Sequence, residues 1–423
     1  MKLPEYYRTL TDCHCCNLNL DEQCYHRNQP IQSTTDPSDS SWLQRGDSKL
    51  VGASDFDKFG ASLSLLADGL VLAVGAPYSN DGGAGLDSGS VQVFDYSDGN
   101  SYQARGPALY SAAYGDTFGW AVSLSNDGEI LAVGAPKSNG IGYVKVYKYD
   151  GEKYNEVIHL SDQALFGYSI SLSGDSKTLA VGTPEGFTTF GYSQLFIIDA
   201  ESGVYDTYPE SSTQYFTGHA VSISDDGNVF AAGDSLLSEV RVEVNTDDEL
   251  LSYQLVYTIP GESVTVSGDG ARFAVRNQTS AIVSVYSINA TKLECLQIGQ
   301  AIPITISPPP SSDSYDPTIL MSLSNDGHVL VLANPLNTKG VQVYVETHNA
   351  TGNPMYAASG DVIPIADSAS VCLSDDGSVL AIGVPFSDLG NGQVEDNGST
   401  FVYELPLQSR AGSTPPSTAV RRF

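Results

Sequence analysis

Two segments of this sequence place aromatic and carboxylate side chains in a similar order. They read PYSNDGGAGLDSG at 77–89 and PFSDLGNGQVEDNG at 385–398, and each follows an apolar run that ends in proline. Rings offer apolar surface and carboxylates offer charge, so this mixture can hold a basic protein segment, a sugar or a cation. The alternative is a pair of solvated acidic loops. The predicted ligand-binding residues are Tyr78, Asp81, Asp87, Phe386, Asp388, Glu395 and Asp396.

The first 24 residues hold four of the six cysteines, with two histidines nearby. A zinc site takes four Cys or His ligands, but this spacing lacks two separated CxxC-type pairs. Adjacent Cys15 and Cys16 do not easily serve as separate corners of one site. We therefore predict disulfide chemistry and no metal in this segment, with zinc as the alternative. The disulfide candidates are Cys13, Cys15, Cys16 and Cys24.

Catalytic motifs are missing from the sequence. It contains no GxSxG, no phosphate-binding loop and no HExxH, and its six histidines are scattered. We predict a protein that is not an enzyme and that needs no cofactor.

Charge narrows the range of partners. The chain has 423 residues, 50 acidic against 20 basic, and a formal charge of −30. Such an excess repels phosphate backbones and anionic lipid, so nucleic acid is not an expected partner. No apolar run approaches the roughly 18–20 residues of a membrane span, so direct membrane insertion is not expected. The N-terminus MKLPEYYRTL lacks the apolar segment of a signal peptide.

The elements that position these residues come from a repeat. An aspartate in a tight turn recurs at intervals of 43 to 59 residues, at Asp68, Asp127, Asp175, Asp226, Asp269, Asp326 and Asp376. A repeat of this length is typical of a solenoid, a propeller or an array. Each unit predicts an alternating strand A, an Asp-Gly hairpin, an apolar strand B, a strand C of GxVxVY type and a weaker strand D.

Four strands without a helix cannot bury both faces of a small sheet, whereas seven such sheets packed radially can. We therefore predict an all-β, seven-bladed β-propeller of four-stranded antiparallel blades. The seventh unit lacks a convincing strand D, and a short strand at 42–44 precedes the first unit. We predict that this N-terminal strand completes the last blade and closes the ring. In that case Arg45 ends the strand, although RGDS at 45–48 also spells an adhesive tripeptide.

The repeat resembles the FG-GAP repeat of integrin α-subunit propellers and of microbial and algal surface proteins. Phe118-Gly119 with Gly134-Ala135-Pro136 carries the resemblance best, and the first and third units have similar pairs. The motif weakens from the fourth unit onwards, where Thr217-Gly218 replaces Phe-Gly. The resemblance spans about residues 42–405 and implies a propeller with an extracellular recognition or adhesion role.

Integrin-like repeats often bind Ca²⁺ in the A–B hairpin through several acidic ligands, and this feature of the resemblance is not expected to carry over. In the second unit Ser123 and Ser125 replace the first two aspartates of that motif, and Leu131 replaces the last. The surviving turn aspartate has a sufficient role in shaping the hairpin.

Four sequons support a secretory route, and their asparagines are predicted to lie in turns, at Asn277, Asn289, Asn349 and Asn397. A mature or incomplete N-terminus would reconcile them with the missing signal peptide. We expect an extracellular or cell-surface location.

Three regions follow: a Cys-rich segment and disordered linker at 1–40, the propeller at 41–407, and a disordered tail at 408–423. The predicted function is a non-enzymatic recognition or adhesion module that binds a protein or a carbohydrate. Binding is expected where the B–C and D–A loops emerge. The alternative is a propeller polysaccharide hydrolase or lyase with carboxylates on the axis.

Overall fold

The computed structural model describes residues 42–46, 49–80, 82–83, 85–97, 101–111, 113–137, 141–163, 165–184, 191–207, 218–234, 237–246, 252–304, 321–333, 340–365, 370–387 and 397–405. Their regular secondary structure consists of β-strands. Among these residues there is no helix of sufficient length and apolar character to cross a membrane.

Seven antiparallel sheets follow one another along the chain, and each is one blade of a seven-bladed β-propeller. The innermost strands contact each other in sequence order, and the seventh contacts the first. These A strands are β3 (Ser62–Leu65), β8 (Ala121–Leu124), β12 (Ser169–Leu172), β16 (Ala220–Ile223), β20 (Ser263–Val266), β24 (Met321–Leu323) and β28 (Ser370–Leu373). The fold class predicted from the sequence is confirmed.

The second strand of each blade lies between two other strands and between two neighbouring blades. Both of its faces are therefore covered, which explains the apolar runs in the sequence. In blade 2, for example, each residue of this strand is buried. These B strands are β4 (Val71–Ala76), β9 (Ile130–Ala135), β13 (Thr178–Thr183), β17 (Val229–Asp234), β21 (Arg272–Asn277), β25 (Val329–Ala333) and β29 (Val379–Val384).

The two outer strands complete each blade. The C strands are β5 (Ser90–Ser97), β10 (Tyr143–Tyr149), β14 (Tyr192–Asp199), β18 (Glu239–Asn245), β22 (Ile282–Asn289), β26 (Val341–His348) and β30 (Ser399–Glu404). The D strands are β6 (Ser101–Ala104), β11 (Tyr154–Ser161), β15 (Val204–Thr207), β19 (Tyr253–Pro260), β23 (Glu294–Pro303) and β27 (Pro354–Ile363). A short strand β7 (Leu109–Tyr110) also pairs with β5.

An N-terminal strand closes the ring, as the sequence predicts. Strand β1 (Leu43–Gln44) pairs with the C strand of blade 7, with Leu43 opposite Glu404. A second strand not predicted from the sequence, β2 (Leu50–Val51), pairs with the other end of the same C strand. The last blade therefore takes its outer strands from the start of the chain.

The recurrent glycines are explained by contacts between blades. A Cβ on Gly134, at the end of strand B in blade 2, would lie 2.1 Å from the carbonyl oxygen of Gly167 in blade 3. A Cβ on Gly383 would lie 2.0 Å from the carbonyl oxygen of Gly60, which repeats this contact where blade 7 meets blade 1. No other residue type allows such an approach of two backbones.

Candidate functional site

An axial cavity of about 200 Å³ runs between the A strands. One residue at the equivalent position of each A strand lines the cavity, in the order Ser64, Ser123, Ser171, Ser222, Thr265, Ser322 and Cys372. Five of the hydroxyls accept a hydrogen bond from the backbone N–H of the next blade, as Ser64 does from Leu124 at 2.9 Å. The hydroxyls therefore join the blades as well as lining the cavity.

Cys372 takes the place of serine in this ring. Its side chain lines the cavity and is partly buried. It still packs beside an apolar cluster that contains Val379. Burial raises the pKa of the thiol to about 12. It is therefore an uncharged thiol at neutral pH.

We call the end of the propeller where the B–C and D–A loops emerge the loop end, and the end with the A–B turns the hairpin end. At the loop end the residues that precede the A strands form an arc of rings. Trp120 lies 5.3 Å from Tyr168, and Tyr168 lies 5.6 Å from His219, measured between ring centroids. On blade 5 the residue immediately before strand A is Glu262.

Glu262 is anchored where it stands. Its side chain is 7% exposed, and its two oxygens accept the backbone N–H of Gln278 at 2.9 Å. The guanidinium of Arg276 lies 3.7 Å away. Burial raises the pKa of Glu262, while the N–H of Gln278 and the charge of Arg276 oppose that rise. The contacts therefore describe a residue that fixes the start of blade 5.

Two lysines stand over aromatic rings at the loop end. The ammonium of Lys137 lies 4.9 Å from the ring of Trp120 and 3.4 Å from the hydroxyl of Tyr78. The ammonium of Lys58 lies 4.1 Å from the ring of Phe386. A cation over a ring face is attracted by the ring quadrupole, so each pair is held in place.

Each of these lysines contacts an aromatic residue of the ligand-binding set predicted from the sequence, Tyr78 or Phe386. Tyr78 and Phe386 do lie at the same end of neighbouring blades, because each follows a B strand. Asp87 is half-buried, and its backbone accepts the N–H of Thr117. The other predicted site residues lie outside the described residues: Asp81, Asp388, Glu395 and Asp396.

Exposed large apolar side chains lie at the same end of the propeller, and we call this surface the loop face. It spans blades 7, 1 and 2 and includes Phe56 (50% exposed), Leu86 (61%), Tyr114 (62%), Ile141 (57%) and Phe386 (41%). At the hairpin end, the exposed large apolar residues among the described positions include Leu70 in an A–B turn and Val204 beside a C–D turn. Apolar side chains clustered on one surface are typical of an interaction site. The sequence analysis predicted binding at the loop end, and of these side chains it named Phe386.

The hairpin aspartates are used inside the turn. In blade 2 the Ser125 hydroxyl donates to Asp127 at 2.6 Å and accepts the N–H of Ile130 at 3.0 Å. The same carboxylate oxygen accepts the N–H of Glu129 at 2.9 Å. Blades 3 to 7 repeat the serine–aspartate bond, and their serines are Ser173, Ser224, Ser267, Ser324 and Ser374. Across the described ranges, no group of three or more His, Cys, Asp or Glu could hold a metal ion.

A carboxylate pair on the axis was missed by the sequence analysis. Asp225 and Asp375, which immediately precede two turn aspartates, both accept a hydrogen bond from the side-chain amide of Asn325. Burial and the neighbouring charge of Asp225 raise the pKa of Asp375 to about 6. Burial also raises the pKa of Asp225. Both lie at the hairpin end, and neither lines the axial cavity.

The four sequon asparagines differ in accessibility. Asn289 and Asn349 are exposed. The side-chain amide of Asn277 donates to the carbonyl of Pro260 at 3.1 Å. Asn397 is 1% exposed, and its carbonyl accepts the N–H of Phe59 where blade 7 meets blade 1. This fold leaves no room for a glycan at Asn397, because that residue takes part in ring closure.

The N-terminal predictions have mixed outcomes. The four cysteines Cys13, Cys15, Cys16 and Cys24 lie outside the described residues. Arg45 directly follows the closing strand, and its side chain is 9% exposed. That burial speaks against the display of an adhesive tripeptide on a mobile loop, although Asp47 and Ser48 are not among the described residues.

The fold defines the class of this protein, a seven-bladed β-propeller. Similar solved structures include a chain of the mitotic checkpoint complex, with 14% identity, 92% and 98% of the two chains covered and a TM-score of 0.53. The propeller domain of Cps50 (Swd1) from Myceliophteria thermophila has 12% identity, coverage of 86% and 100%, and a TM-score of 0.50. A protein from Lactobacillus plantarum has 14% identity, coverage of 74% and 86%, and a TM-score of 0.51.

These similarities show the fold alone, because the identities are low. No family model matches the chain, and no curated protein matches it.

Proposed function

We propose that this protein is a non-enzymatic recognition module that binds a protein partner through its loop face. The observation that carries the proposal is the set of exposed apolar side chains on blades 7, 1 and 2, beside two lysines held over rings. Aromatic side chains dominate the energetics of protein interfaces because they bury large rigid surfaces. The likeness to a chain of the mitotic checkpoint complex is consistent with protein binding.

The contrast between the two ends of the ring supports this choice of face. At six of the seven junctions between blades, a backbone N–H of one A–B turn donates to a carbonyl of the next turn. The hairpin end therefore uses its polar groups within the ring. The loop end leaves its apolar side chains open to a partner.

The enzymatic alternative requires acids that a substrate can reach. The axial carboxylates Asp225 and Asp375 are bonded to asparagine side chains, and they do not line the cavity. Their contacts support a structural use. Carbohydrate is the other class of ligand to be tested. A glycan array with the wild type and with the variants described below would detect it.

We also propose that the repeats are of FG-GAP type and that the protein is extracellular or at the cell surface. The inter-blade contacts of Gly134 and Gly383 support the first point, because they give the motif glycines a shared role. The exposed sequons at Asn289 and Asn349 support the second. Mass spectrometry of the native protein should find glycans at these two positions, and two unmodified asparagines would argue against a secretory route.

The partner can be sought with the full chain as bait in extracts of its own source. A loop-face variant, Tyr114→Ala with Ile141→Ala, removes two exposed apolar side chains without touching the core. A matched control, Leu255→Ala with Leu296→Ala, removes two exposed apolar side chains from the outer strands of blades 4 and 5.

Proteins retained by the wild type and the control but lost from the loop-face variant are the expected result. Each should then bind the purified wild type at least about tenfold more tightly than the loop-face variant, which corresponds to about 1.4 kcal/mol. Equal retention by all three forms would refute the proposal. Equal loss from both variants would refute it as well.

A further inference from the structure

Four side chains meet on the propeller axis at the hairpin end, and we call them the axial clasp: Asn126, Asp225, Asn325 and Asp375. Asn126 donates to Asp225 at 2.8 Å, and Asn325 donates to the same carboxylate oxygen. The Asn325 amide also lies 3.3 Å from Asp375. These bonds join the hairpins of blades 2, 4, 6 and 7 across the ring, in addition to the backbone bonds between neighbours.

The sequence makes room for the axial clasp. The equivalent positions on the intervening blades are Ala67, Gly174 and Gly268. A Cβ on Gly174 would lie 2.4 Å from the Asn126 amide, and one on Gly268 would lie 2.3 Å from the Asn325 amide. Large polar side chains can cross the axis because small residues separate them.

The charges in the axial clasp are unbalanced. Two carboxylates share one amide donor, and four further aspartates act on them, namely Asp68, Asp226, Asp269 and Asp376. The cations on these hairpins are engaged elsewhere. Lys177 pairs with Asp175 at 3.1 Å, while Arg272 and His328 both contact Asp326. Like charges held together this closely favour the uptake of one proton.

We propose that the axial clasp is a proton-dependent lock of the propeller ring. When one proton is bound by the pair, only one negative charge remains beside the Asn325 amide, and repulsion no longer opposes the bonds that join the hairpins of blades 4, 6 and 7. When the proton leaves at higher pH, two carboxylates repel each other across a single amide. The clasp then depends on the Asn126 and Asn325 donors alone.

The sign of the effect follows from the titration of the pair. The pKa of Asp375 is raised by its burial and by the charge of Asp225, so the folded ring holds a proton that the unfolded chain has already lost. The stabilisation is fully present below about pH 4, the pKa of an unperturbed aspartate. It is lost as the pH rises through about 6.

The rate of backbone hydrogen exchange at the A–B turns tests this proposal directly. The backbone N–H of Asn325 donates to the carbonyl of Asp375, and the N–H of Asp375 donates to that of Ala67, both at 2.9 Å. After correction for the intrinsic pH dependence of exchange, these amides should be about tenfold more protected at pH 5 than at pH 7.5. Unchanged protection in the full-length wild type would overturn the proposal.

Variants separate this effect from general acid stabilisation. Asp375→Asn mimics the neutral form, so the hairpin protection should be similar at both pH values. Asp361→Asn removes the same charge from an exposed position on β27 and should keep the wild-type response. A wild-type response in Asp375→Asn would contradict the lock.

Should Asp375→Asn fail to fold, Asn325→Ala provides a second test. It removes the amide that both carboxylates share, so the midpoint of the pH response should move to higher pH. An unmoved midpoint would also contradict the lock.

Discussion

Arg45→Ala is the substitution that tests ring closure most directly. Arg45 directly follows strand β1, and one guanidinium N–H donates to the carbonyl of Gly69 in blade 1 at 2.7 Å. The guanidinium lies 3.9 Å from the ring of Tyr96, also in blade 1, and 3.3 Å from the carboxylate of Glu404 in blade 7. One side chain therefore joins the N-terminal strand to the last blade and to the first.

The magnitude can be worked out from these three contacts. A hydrogen bond from a charged donor contributes about 1.5–3 kcal/mol. An Arg–Tyr stacking contact contributes about 1–2 kcal/mol when it is largely shielded from water. The ion pair contributes under about 1 kcal/mol, because the Glu404 side chain is 42% exposed. Contacts of one residue are not additive, so we expect Arg45→Ala to lower the free energy of unfolding by about 3 kcal/mol.

The measurement is denaturant unfolding of the full chain, followed by circular dichroism and fluorescence. Glu404→Gln isolates the ion pair and should cost under about 1 kcal/mol. Arg45→Lys keeps the charge but loses the planar guanidinium. Its loss of unfolding free energy should therefore lie between the losses for Arg45→Ala and Glu404→Gln. A loss under about 1 kcal/mol for Arg45→Ala, or an equal loss for Glu404→Gln, would refute this account of ring closure.

Further expectations concern the repeat, the cavity and the clasp. Gly134→Ala should cost about 3 kcal/mol in the same unfolding assay, since its Cβ meets the Gly167 carbonyl at 2.1 Å; a neutral effect would contradict the inter-blade contact. Ser125→Ala should cost about 2 kcal/mol, because it leaves a buried N–H without its acceptor; a loss under about 0.5 kcal/mol would argue against the turn network. Cys372→Ser should change stability by less than about 1 kcal/mol, since serine occupies this position in other blades; a larger loss would show that the thiol packs as a hydrophobe. The free energy of unfolding should fall by up to about 3 kcal/mol between pH 4 and pH 7 in the wild type relative to Asp375→Asn, from a pKa raised to about 6; parallel pH profiles would exclude this contribution.

The fold could be predicted because its signals are local and repeated. An Asp-Gly turn, an apolar B strand and a terminating proline each depend on neighbours within a few residues, and seven copies reinforce one another. Ring closure was predictable for a related reason, since blade 7 lacked a predicted strand D and the N-terminal strand belonged to no other blade. The second closing strand, Leu50–Val51, carried too short a pattern to stand out.

The axial clasp could not be predicted from any single repeat. Its signal was present in the residue before each turn aspartate, where asparagine or aspartate stands at units 2, 4, 6 and 7. Small residues stand at the others. Only ring closure brings positions about 50 to 100 residues apart onto one axis, as with Asn126 and Asp225. The lysine–aromatic pairs were missed for a similar reason, because Lys137 meets Tyr78 across a blade junction.

The two ends of the ring differ in structure, and the difference follows from how the chain connects the strands of a propeller. At the hairpin end the chain turns within each blade, so short A–B turns of equal length meet near the axis and their polar groups bond to one another. At the loop end the chain passes between blades or from strand B to strand C, and connection lengths can vary without disturbing the ring. Exposed apolar side chains such as Leu86 and Ile141 are tolerated there only at the cost of solubility, unless a partner covers them. A net charge of −30 favours dispersal of the chain in water, which is compatible with the proposed binding role of that surface.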